Sequence, residues 1–138
     1  MKKIVIGVLS LLFLTGCSMA QPIPYKGEVI SCASIKTKPS TSPALDCLDG
    51  SAGVAVDSIV GPALINVWGS WCAPCKQELP HFGHYLANNG GKVLIIGVDV
   101  EEKSPAIARK FVESHGISWP ILYDKNGSTR GTFGMGVP

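Results

Sequence analysis

The chain has 138 residues, which is long enough for one hydrophobic core but too short for two domains of ordinary size. Its formal charge at pH 7 is only +2, and the basic residues are dispersed along the sequence. A dispersed charge of this size excludes the basic patch by which proteins usually bind nucleic acid, so we expect no nucleic-acid partner.

The N-terminus has the features of an export signal. Two lysines precede an apolar run over residues 4–13, which is too short to cross a bilayer because a spanning helix needs about 20 apolar residues. Residues 14–17, LTGC, resemble the lipobox of bacterial lipoproteins, whose cysteine is diacylated and becomes the new N-terminus. Ordinary secretory cleavage after Ala20 is the alternative, and it would discard Cys17. We favour lipidation of Cys17, and it also explains the odd cysteine count, because four cysteines then remain to pair.

The next segment predicts a tether followed by an N-terminal extension. Residues 18–27 contain two prolines and no hydrophobic periodicity, which is typical of a linker. We therefore divide the chain into a lipoprotein signal peptide (1–17), a tether (18–27) and one domain (28–138). Within the domain, residues 29–35 predict a strand, and a Ser/Pro-rich loop separates it from a short apolar segment at residues 44–48.

Two cysteines, Cys32 and Cys47, lie in this extension. In an oxidising compartment the simplest assignment is a structural disulfide between them, which would stabilise the fold by about 3 kcal/mol for a loop of this size. A second redox pair that relays electrons to Cys72 and Cys75 is the alternative. Four cysteines allow three connectivities, and the sequence alone does not choose among them.

The centre of the chain predicts a buried strand, a short turn and a helix. Residues 63–68 are an apolar run, residues 71–75 read WCAPC, and Leu79, Phe82 and Leu86 recur at the spacing of one helix face. The two cysteines of the turn therefore lie where a strand passes into a helix.

This position favours thiol chemistry. N–H groups of the first helical turn lack partners and the helix dipole places positive charge there, so a thiolate at Cys72 is favoured and Cys72 is the predicted nucleophile. Cys75, one turn further along, is placed to attack a mixed disulfide formed at Cys72 and to release the partner. Pro74 suits the first turn, because its missing N–H would have no helical acceptor. We interpret Trp71 as a residue that flanks the site and Trp68 as a core residue.

The sequence resembles the thioredoxin superfamily, and within it the membrane-tethered extracytoplasmic branch that includes cytochrome c maturation reductases. The residues that carry the resemblance are Asn66, Val67, Trp68, Trp71, Cys72, Ala73, Pro74, Cys75, Glu78, Leu79 and Pro80, with Gly-Val-Pro at 136–138. Thioredoxins proper have a buried Asp where this chain has Asn66, as is usual in the tethered branch. The resemblance implies that Glu78 helps to move protons, that Pro80 kinks the active-site helix, and that Pro138 is a cis-proline that helps to hold the substrate chain.

The resemblance also implies an α/β fold, a thioredoxin-like sandwich with an N-terminal extension and an inserted helix and strand. Residues 93–100 predict a strand covered on both faces. Ser104 and Pro105 then open a helix that runs to about residue 115, and residues 119–123 predict a further strand. The helix residues that we expect to face inward are Ile107, Ala108, Phe111 and Val112. In the family a hairpin and a helix follow the cis-proline, so we expect a C-terminally truncated domain in which the strand at 63–68 has an open edge.

The implied activity is dithiol-disulfide exchange by an extracytoplasmic, membrane-anchored oxidoreductase. The expected partners are thiols or disulfides of exported proteins, with apocytochrome c as one candidate, together with a membrane electron donor or acceptor. Trp71, Pro74 and Pro138 are the expected contacts to the partner chain. The resemblance favours a reductase, and an oxidase that introduces disulfides is the alternative. We expect no cofactor.

Three other interpretations of the cysteine pair remain. A zinc site with His81 and His84 would place the histidines much closer than the usual spacing of about a dozen residues between ligand pairs, so we expect no metal. Covalent haem requires histidine directly after the second cysteine, where this chain has Lys76. A metal-delivery protein and a purely structural lipoprotein with permanently bonded cysteines stay as alternatives to an enzyme.

Overall fold

The computed structural model of the protein describes residues 26–134. This part of the chain forms a four-stranded sheet in the order β1-β4-β3-β2, in which β2 lies at one edge of the described sheet. The strands are β1 (Asp46–Cys47), β2 (Ala63–Trp68), β3 (Leu94–Val100) and β4 (Ile121–Asp124). Strands β2, β3 and β4 are parallel, whereas β1 pairs antiparallel with β4. Helix α1 (Ala73–Asn88) connects β2 to β3, and α2 (Pro105–Ser114) connects β3 to β4.

Both helices cover the same face of the sheet. Consecutive parallel strands are neighbours, and right-handed crossovers that advance in one direction place their helices on one side. Accordingly, Leu79 of α1 and Phe111 of α2 share one apolar core with Trp68, Ile95 and Ile121 of the strands. None of the helices within residues 26–134 has the length and apolar content that a membrane span requires.

The N-terminal extension covers the other face. Ile35, Leu45 and Val54 pack there against Ile96 and Val98 of β3. Because β3 is buried on both faces, its sequence is a nearly continuous apolar run, and this strand is confirmed from Leu94 to Val100.

The strand and helix predicted around the cysteine pair are confirmed. Strand β2 has the predicted bounds, and α1 begins directly after Cys72 with Pro74 in its first turn. Leu79 is buried in the core, and Phe82 and Leu86 pack against it as partly buried residues.

Two local predictions are wrong. Residues 29–35 do not form a strand: Ile30 makes a single bridge to Pro120, and a 3₁₀ turn follows at Cys32–Ser34. The Ser31 hydroxyl accepts the Ala33 N–H at 3.2 Å, a local bond that competes with strand pairing. Ile107 is 40% exposed, whereas the other three predicted inward residues of α2 are buried, because this short helix buries only a narrow stripe.

The described chain enters the fold at the C-terminal end of α2. The Gly27 N–H donates to the Glu113 carbonyl oxygen at 3.0 Å, and the Glu28 N–H donates to that of Ile117 at 2.9 Å. Gly27, the last residue of the predicted tether, is thus already bound to the domain. A side chain at this position would collide with the Val112 carbonyl, so the close approach requires glycine.

Candidate active site

Cys72 and Cys75 lie at the carboxyl end of β2, where the chain turns into α1. Cys72 is the N-cap residue of α1, and its sulfur accepts the N–H of Cys75 at 3.3 Å. The two sulfurs are joined in a disulfide with a Cα–Cα distance of 5.3 Å. Both residues are half-buried, so the pair is within reach of a partner sulfur.

The end of α1 supplies the electrostatics of the site. An N-cap sulfur faces the unpaired N–H groups of the first turn and the positive end of the helix dipole. In the reduced protein both features favour the thiolate of Cys72 over its thiol. The bond from the Cys75 N–H to the Cys72 sulfur is one such interaction.

Trp71 and Pro74 form the exposed rim of the site. The Trp71 side chain is 53% exposed, and its ring N–H donates to the Val100 carbonyl oxygen at 3.3 Å. The Arg130 guanidinium lies 5.9 Å from the centre of the Trp71 ring, a distance suited to a cation–π contact. Beside this rim, a cavity of about 510 Å³ reaches the cysteine pair.

Arg130 is held over the ring by two further features. Its guanidinium forms an ion pair with Glu101 at 2.7 Å. The turn that leads to Arg130 is closed by the buried Asp124, whose carboxylate accepts the backbone N–H groups of Ser128 at 2.9 Å and of Thr129 at 2.8 Å. Residues distant in sequence thus converge on one side of the turn over residues 69–72, which leads from β2 to α1 and which we call the cysteine loop.

A second buried acid, Glu102, is hydrogen-bonded to the backbone of the cysteine loop. Glu102 is only 5% exposed, and its carboxylate accepts the backbone N–H of Ser70 at 3.0 Å. The Tyr123 hydroxyl of β4 donates to the Glu102 carbonyl oxygen at 2.8 Å. Ser70 precedes the cysteine pair, so Glu102 ties the cysteine loop to the end of β3.

Asp99 is a buried acid in the same region. It lies opposite Trp68 in the pairing of β2 with β3, and neither of its carboxyl oxygens has a hydrogen-bond partner within residues 26–134. Burial, together with the nearby charge of Glu102, raises the pKa of Asp99 to about 8. Asp99 therefore carries a proton at neutral pH.

The other predicted site residues are placed as follows. Glu78 lies on α1 with an exposed side chain. Cys32 and Cys47 are joined in a disulfide with a Cα–Cα distance of 6.2 Å, and both are buried. Cys17 and Pro138 lie outside the described residues.

The ligand set of the zinc interpretation is not assembled in the described part of the chain. Within residues 26–134, the one group of three potential metal ligands consists of Cys32, Cys47 and Asp49, and its two sulfurs are already bonded to each other. His81 and His84 do not join Cys72 and Cys75 in a group of this kind.

Sequence reasoning missed Glu101, Glu102, Asp99 and Arg130. One signal was present: Glu101 and Glu102 directly follow the apolar run of β3. Because the carboxyl ends of adjacent parallel strands meet at one edge of a sheet, acids after β3 should lie near the loop after β2. No comparable signal in the sequence points to Arg130.

Comparison with known proteins decides the family. The AhpC/TSA family matches residues 41–138, which is more than half of the chain. The chain belongs to the AhpC/TSA family. The thioredoxin-like fold that the resemblance implies is confirmed. A second match, at residues 1–18, is to the prokaryotic membrane lipoprotein lipid attachment site.

Three similar proteins of this thioredoxin-like kind illustrate the relationship. Thiol-disulfide oxidoreductase ResA of Bacillus anthracis is 36% identical over 73 residues, which cover 52% of this chain and 42% of that protein. Thioredoxin-like protein YneN of Bacillus subtilis is 28% identical over 131 residues, which cover 92% of this chain and 75% of that protein. The structure of dsbF from MTB, in mixed oxidised and reduced forms, has a TM-score of 0.58 at 25% identity and covers 69% of this chain and 70% of that chain. The match thus spans less than half the length of the ResA relative.

Proposed function

We propose that this AhpC/TSA-family protein is an extracytoplasmic thiol-disulfide oxidoreductase. The observation that carries the proposal is the position of Cys72, at the N-cap of α1 and within a disulfide to Cys75. The name of the ResA relative, thiol-disulfide oxidoreductase, supports it.

The proposed exchange proceeds in two steps. In the reductase direction, the Cys72 thiolate attacks one sulfur of a partner disulfide, forms a mixed disulfide and releases one partner thiolate. The Cys75 thiolate then attacks the Cys72 sulfur, which closes the Cys72–Cys75 bond and releases the second partner thiolate. The partner gains two electrons, and a membrane electron donor restores the dithiol.

The remaining site residues have supporting roles in this proposal. Glu78 is exposed on α1 and would exchange protons with solvent as thiols form and ionise. Trp71 and Pro74 form the exposed rim against which the partner chain docks, and Pro138 completes the contact. Cys32 and Cys47 are buried and serve as a structural disulfide.

Trapping of the intermediate tests the exchange itself. In a Cys75→Ser protein the mixed disulfide at Cys72 cannot be resolved, so a peptide that contains a disulfide should remain bound in a reducible adduct. The Cys72→Ser protein is the matched control and should form no adduct. Absence of an adduct with Cys75→Ser, as read by mass spectrometry under non-reducing conditions, would overturn the proposal.

The direction of electron flow is a finer proposal, and we propose a reductase of exported proteins such as apocytochromes c. A redox titration of the Cys72–Cys75 couple, read by alkylation and mass, tests it. A midpoint near or below about −250 mV supports a reductase, whereas a midpoint above about −180 mV supports a disulfide-introducing oxidase.

We also propose that the protein is anchored to the extracytoplasmic side of a membrane by diacylated Cys17. The lipid-attachment match over residues 1–18 supports this location. Substitution of Cys17 by serine should move the protein from the membrane fraction to the soluble fraction of lysed cells. Retention of the Cys17→Ser protein in the membrane fraction would contradict lipid anchoring.

A further inference from the structure

The loop that carries the candidate nucleophile is bound to the end of β3 at two points. The Ser70 N–H donates to the Glu102 carboxylate, and the Trp71 ring N–H donates to the Val100 carbonyl oxygen. The loop is itself a tight turn, closed by a bond of 3.0 Å from the Cys72 N–H to the Gly69 carbonyl oxygen. The backbone on both sides of Ser70 is therefore fixed relative to β3.

The contact to Glu102 differs from the contact to Val100, because Glu102 accepts the hydrogen bond with a charged carboxylate and Val100 accepts it with a backbone carbonyl oxygen. Its carboxylate is almost fully buried, and its second oxygen accepts the Lys103 N–H at 3.4 Å. Both of these bonds come from backbone N–H groups, so the carboxylate is hydrogen-bonded to the cysteine loop and to its own chain neighbour. A buried charge is screened by water and salt much less than one on the surface.

The charge lies close enough to the nucleophile to affect it. Ser70 is two residues before Cys72, and the tight turn shortens the path, so the carboxylate lies within about 10 Å of the Cys72 sulfur. A negative charge at this distance opposes the formation of a second negative charge on that sulfur.

From this arrangement we propose that Glu102 is a positioning residue of the site: its carboxylate fixes the cysteine loop through the Ser70 N–H and makes the Cys72 thiolate less stable than the helix terminus alone would make it. The proposal rests on the proposed exchange reaction and refines it. A less stable thiolate shifts the couple toward the disulfide, so the reduced protein is a better electron donor. Glu102 thus favours the reductase direction.

Other charged groups border the same loop. Asp99 of β3 and Tyr123 of β4 face Glu102, Lys103 follows it, and Glu101 and Arg130 form an ion pair on the Trp71 side. Asp99 carries a proton at neutral pH because burial raises its pKa to about 8. The ion pair is internally neutralised, which leaves Glu102 as the main negative charge that faces the loop from β3.

The test measures the rate of alkylation of Cys72 against pH in the reduced protein, because only the thiolate reacts. The Glu102→Gln side chain keeps an oxygen that can accept the Ser70 N–H and loses the charge. We expect the midpoint of its rate profile to move to lower pH by about half a unit to one unit. Its equilibrium constant for disulfide formation with glutathione should fall about threefold to tenfold, where tenfold corresponds to about 30 mV.

Two further variants control the result. Glu113→Gln removes one negative charge from an exposed side chain at the other end of α2, and its midpoint should match that of the unaltered protein. Glu102→Asp keeps the charge on a shorter side chain, so its midpoint should stay within about 0.3 unit of the unaltered protein. If Glu102→Gln does not fold, Glu102→Ala takes its place and the same downward shift is expected.

A midpoint in the uncharged Glu102 variant equal to that of Glu113→Gln, or a shift to higher pH, would overturn the inference. Alkylation requires no partner protein, so this result is independent of the adduct test of the proposed function. If the Cys75→Ser protein captures no peptide but the alkylation midpoint still moves, then the exchange reaction fails and the effect of Glu102 on Cys72 remains.

Discussion

Asp99 is fully buried in β3, and its carboxyl oxygens have no hydrogen-bond partner among the described residues. Burial, with the charge of Glu102, raises its pKa to about 8 from 3.8, the ordinary value that applies to the unfolded chain. Between these two values the unfolded chain releases a proton that the folded protein retains. The free energy of unfolding should therefore decrease as the pH rises from about 4 to about 8.

Replacement of the ionisable carboxyl group of Asp99 should stabilise the protein near neutral pH. Between pH 5 and pH 8 the unaltered protein should lose free energy of unfolding through Asp99, and the Asp99→Asn protein should not. We expect this loss to be smaller by about 2 to 4 kcal/mol in the Asp99→Asn protein. Urea unfolding at the two pH values measures this difference. Asp46→Asn, an exposed acid on β1, is the control and should follow the unaltered protein. An unchanged pH dependence in Asp99→Asn would contradict a raised pKa at this residue.

At the scale of the elements, β3 depends on a glycine at its centre. A Cβ atom at Gly97 would collide with the Cδ1 of Ile121 and would lie 2.8 Å from the Trp68 ring nitrogen. The absence of a side chain lets both indole rings of the core, those of Trp68 and Trp119, pack against the strand. The position of Trp68 in turn fixes the end of β2, directly before the cysteine loop.

Gly97→Ala should lower the free energy of unfolding by about 1 to 3 kcal/mol, because the added methyl group overpacks a dense core. Gly83→Ala is the matched control, since a Cβ at this position of α1 meets no atom within 4 Å apart from its chain neighbours and the backbone of its own helix. The control should stabilise the protein by about 0.5 to 1 kcal/mol, because alanine restricts the unfolded chain more than glycine does. Equal effects of the two substitutions in urea unfolding would argue against the packing described for β3.

At the scale of the whole molecule, the disulfide between Cys32 and Cys47 joins two parts of the N-terminal extension, the 3₁₀ turn at Cys32–Ser34 and β1, on the sheet face opposite the two helices. It is buried and belongs to the core on that face. The Cys32→Ser, Cys47→Ser protein should lose about 2 to 4 kcal/mol in free energy of unfolding, since the loop is no longer closed in the unfolded chain. Its redox midpoint at Cys72–Cys75 should be unchanged. A change in that midpoint, or loss of exchange by the folded variant, would favour the electron-relay interpretation.

The sequence by itself was sufficient for the elements that hold the candidate nucleophile. The apolar run defines β2, the cysteine spacing and Pro74 define the turn and the start of α1, and the periodicity of Leu79 with Phe82 defines the buried face of the helix. All of these signals are local in the sequence. The same patterns predicted the buried strand β3 and the start of α2 at Pro105. They failed at residues 29–35, where a serine side chain bond and a disulfide override the tendency of the apolar residues to form a strand.

Only the tertiary structure decided what surrounds the cysteine pair. Glu102 lies about 30 positions from Ser70 along the chain, and Arg130 lies about 60 positions from Trp71. The members of each pair are in contact because parallel strands align their carboxyl ends at one edge of the sheet. The protonation of Asp99 likewise depends on burial beside Glu102. The apolar run around Asp99 predicts a strand. It does not predict the electrostatic surroundings of Asp99, because these arise from side chains that only the packed fold brings together.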